Sequence, residues 1–345
     1  MKKRISPLFL LIFSLTIIQI ACVQSNPGLE IIVKTDKQQY YARYTVQVYG
    51  NLTLDGMLVT DGLVGIQIQT SQDRLLTIRT MSTGNPPPET PYVFIEYVVP
   101  CDQNGTPRFT FPRKTLAYFK ISVANMDIES REALMTINTY YGDGTPFGFA
   151  SIQTKISAQS NPTFIISIPI PKDAPLGTAF VYANAYTDWP KLAGTPYCRE
   201  VNATFEILSG TLSQTVQHSS ILEGTETGNF NLTFKLPSRS PAGNYTVYAT
   251  SRYLGQEVFN FTKFPVYMLG DLGSGPPPTF FAYDGNIDAF DYTLWKACYD
   301  GTAPPNAIYL GDLGSGPPPT FYAYDGVVDS WDYSLWKACY DGLGP

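Results

Sequence analysis

The chain has 345 residues, of which 44% are hydrophobic, 14% aromatic and only 15% charged. That length predicts two or three domains with real cores, and the composition is too apolar for a disordered chain. The formal charge is −6 and Lys and Arg form no cluster, which excludes a nucleic-acid footprint and suits solubility or cation binding.

The first 25 residues read as an export signal. Lys2, Lys3 and Arg4 form a charged start, followed by an apolar stretch from Pro7 to Ala21. That stretch is short for a membrane span, which needs about 20 residues. Cleavage after Ala21 or Ser25, a lipid anchor on Cys22 and an uncleaved signal anchor all remain open. Gln19 stands where a lipidation box wants an aliphatic residue. No second apolar stretch approaches spanning length, and the chain ends DGLGP without a C-terminal anchor. The expected location is secreted or cell-surface.

Strand patterns follow. Val46, Val48, Leu52 and Leu54 alternate with polar residues, as do Val64, Ile66 and Ile68. Leu75–Thr80 reads as a further strand, and Pro86-Pro87-Pro88 ends the run. A second block starts near Tyr92. It carries alternation at Phe119, Ile121 and Val123, then at Ala133, Met135 and Ile137, with strands expected at Phe164–Ile170, Ala179–Ala185 and Ala203–Leu208. Such spacing predicts an antiparallel β-sandwich. Residues 209–228 are polar and aperiodic and read as a linker. Beyond them Phe230, Leu232, Phe234 and Leu236 alternate.

An internal phrase repeats at an offset of 66. IPIPKDAPLGTAFVYANA (168–185) aligns with FKLPSRSPAGNYTVYATS (234–251), matching Pro171 to Pro237, Pro175 to Pro241 and Gly177 to Gly243. Residues 29–82 supply early strands without late ones, and residues 229–267 the reverse. A half sandwich exposes an apolar face and ladder edges. The economical division is a split sandwich of residues 29–91 plus 229–267, with residues 92–208 inserted as a second sandwich. Three modules in series, the third truncated, is the alternative.

The tail, residues 268–345, holds a tandem duplication. Residues 269–301 and 310–342 match at 27 of 33 positions. Each copy holds D-G-x-[IV]-D-x-x-D before a short aromatic helix. In an EF-type loop Asp284 falls at position 5, Gly285 at 6, the Asn286 carbonyl at 7, Asp288 at 9 and Asp291 at 12. The second copy gives Asp325, Gly326, the Val327 carbonyl, Asp329 and Asp332. The bland alternative makes Asp291 and Asp332 helix N-caps and the other acids turn formers.

Four cysteines lie beyond Cys22, none in a CxxC pair, and His218 is the only histidine, which argues against a zinc site. Cys298 and Cys339 hold equivalent places in the two repeats, so a bridge between them, with Cys101–Cys198 as its complement, is one expectation. Six N-x-[ST] sequons, at Asn51, Asn104, Asn202, Asn231, Asn244 and Asn260, fit an exported glycoprotein or arise by chance.

Two resemblances add to this. VKTDKQQY, VQVYGNLTL and LPSRSPAGNYTVYATSRY in one block, and YFKISVANMDIESREALMTINTYY and AYTDWP in the other, resemble Ig-like, macroglobulin-type sandwich modules of exported prokaryotic, particularly archaeal, surface proteins. Such modules serve as spacers, adhesins or binding platforms. The tail resembles the duplicated repeat of dockerin domains, whose phrase D-G-x-[IV]-[DN]-x-x-D-[YL]-x-x-[LIM]-x-[KR] recurs in both copies. It departs at the front of the loop, where Phe280 and Ala282, or Phe321 and Ala323, stand in the first two ligand places. GDLG precedes them, so Asp271 and Asp312 are expected to supply the first ligand across a Pro-rich insert. The resemblance implies up to two Ca2+ ions and a cohesin-like or other cell-surface partner. Its helix faces would present Phe290, Tyr292, Trp295, Trp331, Tyr333 and Trp336, unless the Trp pair forms the small core between the repeats.

The expected fold is therefore mainly β, with Ig-like antiparallel sandwiches and a small helical EF-hand-like, dockerin-like domain. The expected function is a non-enzymatic surface stalk or platform with a docking tail. One alternative is an adhesive protein that stacks polysaccharide on aromatics such as Tyr186 and Trp189. Another is a polysaccharide-degrading component. His218 in the linker and the lack of HExxH, a nucleophile elbow or a phosphate loop weigh against an enzyme.

Overall fold

The computed structural model describes residues 28–85, 92–209, 227–268, 270–272, 287–303, 311, 313 and 327–341. The expected export signal, the Pro86–Pro88 break and nearly all of the linker lie outside them.

The protein is mainly β. The strands before the second block are β1 (Leu29–Thr35), β2 (Tyr40–Tyr41), β3 (Thr45–Leu54), β4 (Met57–Leu58), β5 (Leu63–Gln69) and β6 (Leu75–Ser82). The second block holds β7 (Val93–Cys101), β8 (Thr110–Pro112), β9 (Leu116–Asn125), β10 (Arg131–Tyr141), β11 (Pro146–Ile156), β12 (Thr163–Pro169), β13 (Gly177–Tyr186) and β14 (Val201–Leu208). After it come β15 (Asn229–Lys235), β16 (Gly243–Tyr253) and β17 (Gln256–Tyr267), then helices α1 (Ala289–Tyr299) and α2 (Ser330–Tyr340).

Strands from either side of the second block pair with one another. One sheet runs β1-β3-β15, with β4 on β3; its partner sheet runs β2-β17-β16-β5-β6. Val46 and Val48 from the early strands share one core with Phe234, Tyr245 and Phe264 from the late ones. Alternation explains the fit: in β15, Phe230, Leu232 and Phe234 point inward while Asn229, Asn231 and Thr233 point to solvent. The second block makes its own pair of sheets, β12-β9-β7 and β11-β10-β13-β14-β8. Phe205 meets Phe111 and Phe119 edge-to-face in its core, and the three centroids lie 5.4–6.4 Å apart.

The repeated phrase is one structural device used twice. In each copy the chain leaves one sheet (β12 or β15), turns, and enters the other (β13 or β16). The turns match bond for bond: Ala174 N–H donates to Pro171 O, and Ser240 N–H to Pro237 O. Gly177 and Gly243 then start the next strand at φ +111° and +114°, a region closed to ordinary side chains. One bond marks the second copy. Tyr245 Oη donates to Pro241 O at 3.0 Å, a tyrosine corner, whereas the equivalent residue is Ala179.

The two sandwiches meet through a buried polar junction. β6 is an edge strand, and Asn138 of β10 satisfies that edge, accepting from Ile78 N at 3.0 Å and donating to Ile78 O at 2.6 Å. Arg79 makes two parallel bonds to Glu200, at 2.7 and 2.6 Å, and lies over the Tyr182 ring at 3.4 Å. Burial disfavours the Arg79 charge, but Glu200 and Tyr140 outweigh it and hold the guanidinium above its ordinary value. Tyr186 is wholly buried here, accepting from Thr80 Oγ1 at 2.9 Å. This corrects the expectation that Tyr186 is a sugar-stacking residue.

The Cys101–Cys198 bridge is also corrected. Cys198 Sγ is hydrogen-bonded by the backbone at Ile95, near the start of β7, while Cys101 ends that strand. Six residues of strand span roughly 20 Å, far beyond the ~7 Å limit between bridged Cα atoms. Both are buried thiols, each with its pKa pushed up to about 11 by burial.

Candidate functional site

Each tail helix starts on the same acidic device. Asp288 is the N-cap of α1, its Oδ1 accepting from Phe290 N at 2.8 Å. Asp291 sits at N3 and closes the capping box, its Oδ2 accepting from Asp288 N at 2.7 Å. Its Oδ1 reaches back to Leu272 N at 2.5 Å, nineteen residues upstream. The second copy repeats this: Asp329 Oδ1 accepts from Trp331 N at 2.7 Å, and Asp332 accepts from Asp329 N at 2.7 Å and Leu313 N at 2.5 Å. The N-caps are thus Asp288 and Asp329, not Asp291 and Asp332. Positions 9 and 12 of the expected loop register coincide with N-cap and N3.

The back-bond brings Leu272, and Leu313 in the second copy, against the helix start. Asp271 adjoins Leu272 in sequence, and Asp271, Asp291 and Asp332 all have no exposed surface. Val327 is 57% exposed. Asp284, Asn286, Asp312 and Asp325 lie outside the described residues, so four of the ten expected ligand positions are not placed. Among the described residues, no three His, Cys, Asp or Glu side chains gather as a metal site. The donors that are placed, Asp271, Asp288 and Asp291 with Asp329 and Asp332, offer only carboxylate oxygen, the set a hard cation takes.

The repeats pack on each other crosswise. A Cβ on Gly270 would meet Cys339 Cβ at 3.3 Å, and one on Gly311 would meet Cys298 Cβ at 2.7 Å, so each glycine admits the other repeat's cysteine. Cys298 and Cys339 therefore each face a glycine rather than forming the expected bridge. Burial raises both thiols, Cys339 to about 11. Trp295 and Trp336 lie in a small core with Leu272, Leu294, Leu313 and Leu335. Tyr292 and Tyr333 cross between the helices, 5.2 Å from Trp336 and 5.0 Å from Trp295. Phe290, Tyr299, Trp331 and Tyr340 keep 43–51% of their surface exposed.

A second concave feature lies between the sandwiches. This cleft of about 750 Å3 is lined by both copies of the repeated turn, including Asp173 of one and Arg239 of the other, which occupy equivalent positions. Its wall carries Tyr141 and Phe147, stacked at 4.3 Å. Lys235 spans it, bonded to Asp143 at 3.0 Å. Sequence reasoning missed the cleft, although the offset-66 repeat marked both its turns. Trp189, the other expected sugar-stacking residue, packs against Phe149 and the small cluster of Ile78, Leu134 and Tyr186.

No family model matches the chain, and no curated protein matches it. Solved structures give faint likenesses. The C-terminal domain of wzt is 11% identical, with 39% of this chain and 83% of that chain covered at a TM-score of 0.28. The CARDB domain of a Pyrococcus furiosus protein, in complex with di-metal ions, is 12% identical, with 44% and 92% covered at 0.22. The Pseudomonas fluorescens alkylpurine DNA glycosylase AlkC, bound to DNA containing an abasic site analog, is 8% identical at 0.26, and 35% of this chain matches 31% of its length. At these scores the likenesses say nothing of function.

Proposed function

We infer that this is a non-enzymatic exported surface protein, in which an Ig-like sandwich carrying a second, inserted one forms a rigid stalk or platform. Its duplicated tail is a dockerin-like calcium module that docks the protein to a cell-surface partner. One observation carries the reading. In both repeats the acids at loop positions 9 and 12 cap the helix, and the position-12 carboxylate draws in the segment next to the first-ligand candidate. That closure ties Leu272, the neighbour of Asp271 in sequence, to Asp291 across the Pro-rich insert, which is compatible with an EF-type register. The tyrosine corner at Tyr245 supports the Ig-like part. A bound Ca2+ would be held by Asp271, Asp288 and Asp291, and by Asp312, Asp329 and Asp332, with Asp284, Asp325 and the Asn286 and Val327 carbonyls completing the sets. The ion would fix the loop and so the angle at which the exposed helix aromatics meet a partner.

The test is calorimetric titration of the whole protein with Ca2+ after EGTA treatment, alongside a thermal scan. The expected result is heat of binding for up to two ions and a calcium-dependent tail transition. Absence of both overturns the metal reading. Capture of a defined surface protein by the calcium-loaded form, lost in EGTA, is the expected docking result.

The cleft favours a second reading, a carbohydrate-binding platform. Tyr141 and Phe147 offer ring surface, and Asp173, Ser238 and Arg239 offer groups for hydroxyls. A glycan array on the intact protein, with Arg239→Ala as control, separates it from the docking reading.

A further inference from the structure

We propose that three of the six sequons carry N-linked glycans, at Asn104, Asn231 and Asn244, and that Asn51, Asn202 and Asn260 stay bare. The proposal rests on the exported reading, because the sugar donor is met on the export route.

In the transfer, Nδ2 of the asparagine bonds to the anomeric carbon of a polyprenyl-phosphate-linked oligosaccharide. The bond from that carbon to the phosphate oxygen breaks, the lipid phosphate leaves with the electron pair, and one amide proton passes to base. The transferase must reach both the asparagine and the threonine two residues on. In a strand those two share a face, so they are open or closed together.

Asn231 and Thr233 are both exposed on β15, an edge strand, while their neighbours Phe230, Leu232 and Phe234 turn inward. Asn104 and Thr106 are both exposed on a tight turn. Asp102 Oδ1 accepts from both their backbone N–H groups at 2.9 Å and so leaves their side chains outward. Asn244 is exposed at the mouth of β16, directly after Gly243, with Thr246 half-open on the same face and no hydrogen bond on its side-chain amide among the described residues.

The other three are held back, each for a different reason, although Asn260 is itself exposed. Asn202 is 5% exposed and pairs with Tyr182, whose ring lies under Arg79 at the sandwich junction. Asn260 Nδ2, the atom that would bear the sugar, donates to Ile31 O at 2.8 Å. Asn51 is half-buried on β3, between β1 and β15, and its Oδ1 is sealed from solvent. No sequon occurs after Asn260, so the sugars would coat the sandwiches and leave the aromatic helices of the tail clear.

The test is tandem mass spectrometry of proteolytic peptides from the protein purified from its native source. Expected are glycopeptides at Asn104, Asn231 and Asn244, and unmodified peptides holding Asn51, Asn202 and Asn260. Asn161 is exposed but followed by Pro162, and is expected bare as an internal control. N231Q and N244Q should each remove one glycan mass from the intact protein, and N202Q none. A glycan on Asn202, or bare Asn231 and Asn244, overturns the proposal. The same digest reads the amino terminus. A processed terminus with bare sequons defeats the glycan pattern alone, whereas an intact Lys2–Arg4 terminus on protein recovered in the soluble cytoplasmic fraction defeats the exported reading with it.

Discussion

Glu200 and Asp291 are both buried carboxylates, and they do opposite work. Glu200 neutralises a cation, Arg79, inside a junction walled by two large cores. Asp291 has backbone amides for partners and holds together a tail whose core is a few side chains around two tryptophans. A large core tolerates an ion pair and gains from it a fixed docking geometry. A small one has too little apolar burial to close by itself and relies on staples, which a metal ion supplies well. The sandwiches should therefore fold without regard to calcium, and the tail should not.

The largest expected effect lies at the junction. Glu200→Ala leaves Arg79 buried without its partner, which costs about 3–5 kcal/mol. The urea midpoint of the sandwich transition should fall accordingly. The paired replacement Arg79→Met with Glu200→Leu should recover most of that loss, because two apolar groups need no neutralisation. A small loss in Glu200→Ala would mean that water reaches the pair and the junction is not sealed.

In the tail, Asp291→Ala removes the acceptors of Leu272 N and Asp288 N and should cost about 2–3 kcal/mol. Asp332→Ala should match it, since the second repeat makes the same bonds. Tryptophan fluorescence reports this directly through Trp295 and Trp336, both buried on the inner faces of these helices. Excess Ca2+ should rescue neither variant fully, while either loss alone should leave the sandwich transition unmoved. Linked movement of both transitions would erase the contrast.

Much of the β architecture was legible in the sequence, because alternation in β3, β9, β10 and β15 puts one face on a core. Several strands were not, and β17 and β11 show why. β17 places Phe259 and Phe261 outward, 41% and 52% exposed, which destroys the apolar–polar alternation. β11 is a half-exposed edge whose burial alternates only weakly. The junction was silent for a different reason. Gln67 and Gln69 look like the solvent face of β5, but β5 is buried on both sides and Gln67 Oε1 accepts from Lys191 N. An arginine destined for burial reads like any surface arginine until its partner, 121 residues away, is placed. In the tail the spacing marked Asp288 and Asp291 as the acids before the helix, whereas their N-cap and N3 roles and the back-bond to Leu272 were not readable, the last because its acceptor and donor flank the insert.

The two sandwiches offer a finer comparison, because one has the tyrosine corner and the other has Ala179 in its place. Tyr245→Phe removes a single bond to Pro241 O at a site where burial already pushes the phenol up to about 12. The expected cost is about 1 kcal/mol, confined to the outer sandwich. Hydrogen exchange should show it as faster opening around β15 and β16, with β12 and β13 unchanged.

The smallest effect is the one across the cleft. Burial opposes the Asp143 charge, but hydrogen bonds from Lys235 and Thr145 prevail and hold its carboxyl below the usual range. A carboxylate with a depressed folded value contributes fully above its unfolded pKa, about 3.9, and loses that contribution as pH falls through the folded value. The pair is half exposed, so it is worth no more than about 1 kcal/mol. Asp143→Asn should therefore be slightly less stable than the parent at pH 7, and the gap should shrink as pH falls below about 4. Denaturation midpoints of the two proteins across that range measure the closing gap. A gap independent of pH would assign the loss to the turn itself, where Asp143 also accepts from Thr145 N at 3.0 Å, and leave the charge with no part in spanning the cleft.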